Sequence, residues 1–260
     1  MFGTVIIDAY SKDETEKLAY AIDDLCSPND GYGWASAGIY SFWDYNTHEV
    51  LYIGLASDLY ERFRQHNGLI QMADECCKYQ QIQKYFTNHK KLGYTIFVQS
   101  PLSQPMVHRN KALFEKLAKE NNSNIQDMTT EQGINDIRRV EGILIEAFNQ
   151  YYGHFPKWNK MGGSVVGQHK VLPNNINIVK SFSNPQSYAV NPIVSRSTIR
   201  ELSENPTYES FESFLHVVRM YIFIFGMDYN DALALTNKFD KFSYFDKIIS
   251  SNYLDKELIV

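Results

Sequence analysis

Six side chains in this sequence combine residue type and spacing in ways that could do chemistry. Tyr40 closes Gly38-Ile39-Tyr40, and Tyr52 opens Tyr52-Ile53-Gly54. Both segments are β-branched and aromatic and flank a polar turn, so they read as a β-hairpin. A turn centred on Asn46 sets Tyr40 opposite Tyr52 on one face. Two such phenols serve packing, or they handle protons if something perturbs them from an ordinary pKa near 10. Arg62 and His66 follow, four residues apart, which puts them one turn apart on one helical face. With Glu61 and Arg64 beside them, a solvated face is the plainer reading. Glu141 interrupts the apolar row of Ile137, Leu144, Phe148 and Tyr151. A carboxylate there needs a cation or strong donors. Two partners stay open: an arginine such as Arg62, or a hard divalent cation. Asn159 ends Pro156-Lys157-Trp158-Asn159, a turn that such a side chain can hold by bonding backbone.

These residues need elements to position them. The repeat of Leu18, Ala21, Ile22 and Leu25 predicts a helix over 13–25, broken by Ser27–Gly33. After the hairpin, Ser57 reads as the N-cap of a helix running to His66. A second helix is expected over 71–90 and a third strand over Tyr94–Gln99. Residues 100–128 read as an insertion with a short amphipathic helix near Leu113–Leu117. Thr129-Thr130-Glu131-Gln132 matches a capping box and opens a helix to Tyr152. Loops and short strands are expected over 153–192, then helices from Ser195, with a stripe of Phe211, Phe214, Leu215, Val218 and Ile222. The chain thus divides into an acidic helical N-terminal arm (1–30), a central unit (31–165) and a loop-rich then helical C-terminal region (166–260).

Composition bounds the function. The 260 residues are 44% hydrophobic and 21% charged, an ordinary globular balance. No apolar run approaches the roughly 18 residues that span a bilayer, so no membrane partner is expected. Cys26, Cys76 and Cys77 form neither a disulfide framework nor a zinc pattern, which favours a reducing cytoplasm. The net charge of −5 is uneven: −5 over residues 1–30, +1 over 31–165 and −1 over 166–260. Nucleic-acid binding would therefore rest on local patches.

Taken together, the residues resemble the GIY-YIG nuclease family. Gly38-Ile39-Tyr40 and Tyr52-Ile53-Gly54 match the two name motifs, eleven residues apart. Arg62 and His66 lie eight and twelve residues after Gly54, and Glu141 with Leu144-Ile145, Pro156 and Asn159 resembles the closing block. The likeness covers roughly residues 35–162. It implies an α+β fold, a three-stranded antiparallel sheet flanked by helices, to which this chain adds a mostly helical C-terminal extension. The chain departs in its long separation of Arg62 from Glu141, and in Leu55, where some relatives carry a lysine.

The resemblance also implies roles. Glu141 would hold Mg²⁺ or Mn²⁺, Arg62 would clamp the phosphate, and Tyr40 would act as or orient the general base. His66 would share that proton, Tyr52 would bond phosphate or water, and Asn159 would position the site by bonding the backbone or a phosphate oxygen. A metal-dependent DNA endonuclease follows, with a restriction-type enzyme expected first and a repair or mobile-element nuclease next. A homodimer is expected if both strands are cut. Competing readings are a catalytically silent nucleic-acid-binding module and an interaction protein acting through its C-terminal helices. DNA contacts outside the cleft are expected from Arg109, Lys111, Lys116 and Lys119 in the insertion, and from Lys157, Lys160 and Lys170 around the closing block.

Overall fold

The computed structural model describes residues 2–26, 35–71, 78–100, 111–120, 122, 131–189 and 191–260. Four strands build one antiparallel sheet: β1 (Phe2–Tyr10), β2 (Gly38–Asp44), β3 (Val50–Ala56) and β4 (Leu92–Gln99), in the order β1-β4-β2-β3. The helices are α1 (Thr15–Leu25), α2 (Leu59–His66), α3 (Tyr79–Phe86), α4 (Lys111–Glu120), α5 (Glu131–Tyr152), α6 (Val165–Gln168) and α7 (Asn175–Ser181). They continue with α8 (Ile199–Glu204), α9 (Pro206–Phe225), α10 (Tyr229–Asn237) and α11 (Tyr244–Ser250). The protein is α+β, and among the described residues no helix is long and apolar enough to cross a membrane.

Both faces of the sheet are covered, which makes three layers. On one face Tyr40, Phe42, Tyr94 and Ile96 pack against Leu18 and Ile22 of α1, Leu59 and Phe63 of α2, and Ile199 and Leu202 of α8. On the other, Ile39, Trp43, Ile53 and Phe97 meet Ile137, Leu144 and Phe148 of α5 and Val179 of α7. A smaller cluster joins Phe211, Leu215 and Val218 of α9 to Ala232 and Ile248. A buried ion pair, Arg219 to Glu212 at 2.6 Å, ties α9 to β1, because Arg219 also donates to Thr4 Oγ1.

Several expectations change. The sheet has four strands rather than three, because residues 2–10 are a strand and not part of an arm. All nine residues of β1 are buried. A strand covered on both faces loses the polar alternation that marks it in sequence. Its acidity is consumed internally: buried Asp8 and nearby Glu14 pair with Arg200 at 2.7 and 2.9 Å. The outer edge of β1 is closed by the 193–195 segment, since Val5 N–H donates to Ile193 O and Ser195 N–H to Val5 O.

The hairpin register also differs. Tyr40 faces Gly54 and Tyr52 faces Phe42, with an irregularity before Trp43. Asp44 sets this register, because its carboxylate accepts the N–H groups of Asn46 and Thr47 and lengthens the turn. A shift of two residues keeps side chains on the same face, so the tyrosines remain diagonal neighbours with ring centroids 5.7 Å apart.

Asp58, not Ser57, caps α2 by accepting Glu61 N–H at 3.0 Å. Helix α3 ends at Phe86, short of residue 90, and β4 begins at Leu92. Two short helices and a 3₁₀ turn (Pro185–Ala189) occupy much of 153–192 in place of short strands. Arg109, Cys76, Cys77 and the capping residue Thr129 lie outside the described residues, as does most of the insertion other than α4.

Candidate active site

The six expected side chains gather around β3, at the free edge of the sheet. Asp58 starts α2 so that Leu59, Phe63 and His66 fall on its buried face. His66 is therefore buried, while Arg62, one turn earlier, is half-buried and lines a cleft. Arg62 Nε donates to the Tyr40 hydroxyl at 3.2 Å, and His66 Nε2 lies 2.5 Å from the same oxygen. His66 Nδ1 accepts the backbone N–H of Lys78 at 2.8 Å. A neutral imidazole with Nδ1 accepting carries its proton on Nε2, so His66 donates to Tyr40. The Tyr40 oxygen thus receives two donors, and the Tyr52 ring packs beside it with centroids 5.7 Å apart. The Arg62 charge acts on Tyr52 as well.

Gly54 makes this packing possible. A Cβ there would lie 2.7 Å from the Tyr40 hydroxyl oxygen and 2.6 Å from the Tyr52 ring.

Glu141 arrives from the other side. Helix α5 packs on the opposite face of the sheet, but the Glu141 carboxylate reaches past the β3 edge beside Leu55, whose N–H favours its charged form. Glu141 and Arg62 consequently line one cleft of about 350 Å³, with Tyr52, Asp58, Glu61 and Gln65. Close approach of the next loop completes the wall. Gly163 lies against Glu141 Oε2 in a left-handed conformation (φ 71°), and a Cβ on Gly142 would meet Ser164 O at 2.3 Å.

Asn159 holds backbone. Its Oδ1 accepts Ile53 N–H at 2.9 Å and its Nδ2 donates to Ile53 O at 2.8 Å. Trp158 N–H donates to Leu51 O. The outward-facing backbone groups of Leu51 and Ile53 are thereby served by the closing block. Of its two expected partners, Asn159 takes the backbone.

Burial dominates the electrostatics. It raises the Tyr40 phenol well above its ordinary value and raises Tyr52 as well, while the Arg62 charge pulls both down. Burial, then the charges of Arg62 and Lys78, push His66 down to about 2, so the imidazole stays neutral. Burial pushes Glu141 up to about 7, against the Leu55 N–H and the charges of Arg62 and Arg138. A carboxylate held this high is short of positive charge. Among the described residues no cluster of three or more His, Cys, Asp or Glu forms. Of the three carboxylates lining the cleft, Asp58 caps α2 and Glu61 accepts from Gln65, so Glu141 is the one suited to Mg²⁺ or Mn²⁺, which keep several waters and take phosphate oxygens as further ligands.

The other basic residues are dispersed. Lys111 and Lys116 are exposed on α4 with Glu115 and Glu120 at 3.7 and 3.8 Å, and neither lines the cleft. Lys157 pairs with Glu49 at 2.7 Å, and Lys160 is exposed.

Two neighbours of the site were not anticipated. Gln65 accepts from Arg62 Nη1 at 2.9 Å and donates to Glu61, which steadies the guanidinium. Its position three after Arg62 on the same helix was the available signal. Lys78 fixes His66 through its backbone and sets its ammonium 4.8 Å from the Tyr52 ring centroid. No sequence pattern pointed to it. Comparison of the chain with protein-family models, curated proteins and solved structures finds no match.

Proposed function

We propose that this protein is a GIY-YIG-type nuclease that hydrolyses DNA phosphodiester bonds with Mg²⁺ or Mn²⁺. One observation carries the reading: Arg62 donates to the Tyr40 hydroxyl, lies close enough to Tyr52 to act on it by charge, and lines the same cleft as Glu141. Strands β2, β3 and β4 then correspond to the three-stranded unit of that family, with β1 added at the edge far from the cleft.

Arg62, on the wall of the cleft, binds the scissile phosphate and stabilises charge on its oxygens. Tyr52, which lines the cleft, is the group placed to take a proton from the attacking water. Its phenolate would accept from Tyr40 O–H and from Arg62. Tyr40 is the orienting partner, with its oxygen filled by His66 and Arg62. His66 has no lone pair left to act as a base. Glu141 would hold the divalent cation, which neutralises phosphate charge and lowers the pKa of bound water.

Incubation of the protein with plasmid in Mg²⁺, Mn²⁺ or EDTA tests this. Discrete metal-dependent fragments support a restriction-type enzyme, and nicks or smears a nuclease of another kind. Binding without cleavage in either metal overturns the reading in favour of a silent binding module.

A further inference from the structure

Between Glu146 and Glu201 the chain carries no Asp or Glu at all. That stretch, residues 147–200, is 54 residues long and holds Lys157, Lys160, Lys170, Lys180, Arg196 and Arg200. With 30 acids in 260 residues, about six would fall in a stretch of this length. The segment includes Asn159 on the β3 edge and Gly163 against Glu141, then α6 and α7, both packed along α5. A Cβ on Gly167 would lie 2.2 Å from Arg139 O, so α6 is seated directly on the helix that bears Glu141.

We infer that this acid-free band is a docking surface for the sugar–phosphate backbone of duplex DNA, extending from the Glu141 cleft along α5. The inference rests on the nuclease reading for the identity of its polyanion. Arg200 is spent on Asp8 and Glu14, and Lys157 is paired with Glu49. Lys160, Lys170 and Lys180 are exposed, and no ion pair to an acid is recorded for them among the described residues. Lys180 sits 3.9 Å from the centroid of the exposed Tyr151 ring. Tyr151 lies ten residues beyond Glu141, about 15 Å along the helix. The nearest acid in sequence, Glu146, already accepts from Asn149 and Gln150.

Exposed Tyr151, Met161 and Val165 interleave these cations. Apolar groups between lysines suit a surface that meets sugars as well as phosphates. The band, rather than α4, therefore supplies the contacts outside the cleft, because Lys111 and Lys116 of α4 each face a glutamate one turn away.

Fluorescence anisotropy with a labelled 30-base-pair duplex in EDTA tests this without any cleavage. The triple variant Lys160→Ala, Lys170→Ala, Lys180→Ala is expected to bind at least about tenfold more weakly at low salt. Its slope of log K against log salt should be shallower by about 3, at roughly 0.9 per phosphate contact. The control triple Lys111→Ala, Lys116→Ala, Lys119→Ala should stay within about twofold of wild type. Unchanged affinity and slope in the first variant, or equal losses in both, overturn the inference. Wild-type protein that binds the duplex through this band but never cleaves leaves the inference standing and removes the nuclease reading. Wild-type protein that cleaves with both triples unaffected does the reverse.

Discussion

The Tyr40 hydroxyl lies 2.5 Å from His66 Nε2, on a ring whose Nδ1 is already occupied by the Lys78 backbone N–H. The direction of that hydrogen bond follows: His66 gives and Tyr40 receives. A histidine four residues after an arginine suggests a proton acceptor with a pKa near 6.5. Burial and two neighbouring cations make it a fixed donor instead.

The pH dependence of cleavage should therefore show no inflection from this imidazole. His66 titrates near 2 when folded, so any limb in kcat/KM between pH 5.5 and 8 belongs to Glu141 and should persist in His66→Phe. His66→Phe, which keeps the packing but removes the donor, should lower kcat by about 10- to 100-fold. A wild-type profile with a limb at 6.5 that disappears in His66→Phe would contradict the assigned tautomer. The same shift acts on stability. A folded pKa below the unfolded one favours the native state above pH 6.5, and that contribution drains away as pH falls toward 2.

Glu141→Gln should abolish metal-dependent cleavage and, in metal-free buffer, stabilise the protein. The carboxyl titrates near 7 when folded, against 4.5 ordinarily, so its ionisation opposes folding. Stability from this group is complete below pH 4.5 and is lost as pH rises through 7. The variant should gain about 1–3 kcal/mol over wild type at pH 8 and almost nothing at pH 4.5. Thermal unfolding in EDTA at the two pH values measures this, and an equal difference at both would mean that Glu141 is already compensated in the free protein.

Gly54→Ala should damage the site more than the fold. The new methyl would press on the Tyr40 oxygen and the Tyr52 ring at 2.7 and 2.6 Å. Overpacking of this kind costs about 1–3 kcal/mol. Cleavage should fall by well over tenfold as the phenols separate from Arg62, while circular dichroism stays close to wild type. Full activity would show that the phenol contact has no part in the reaction.

Asn159→Leu should act on stability first. It leaves the N–H and C=O of Ile53 without their partners at the sheet edge. Losing both bonds at a partly buried strand edge costs about 1–3 kcal/mol. Denaturant titration should show the loss, and DNA affinity measured well below the midpoint should change little. A large affinity change at unchanged stability would return Asn159 to a phosphate-binding role.

Local signals in the sequence located β2, β3, α2 and α5, because two β-branched and aromatic runs flanking a polar turn mark a hairpin and amphipathic helices print their periodicity directly. The spacings of Tyr40, Tyr52, Arg62, His66 and Glu141 were legible for the same reason. Strand β1 was not: buried on both faces, it carries no alternation, and it is held by β4, α9 and Arg200, which lie far along the chain. The hairpin register turned on Asp44 bonding its own turn, which is a geometric choice rather than a composition. Lys78 entered the site by backbone, so its residue type held no clue. Whether His66 gives or takes a proton, and which face of the sheet brings Glu141 to Arg62, depend on groups distant in sequence meeting in a low-dielectric interior. Burial there sets the protonation of each group, and burial is a property of the folded chain alone.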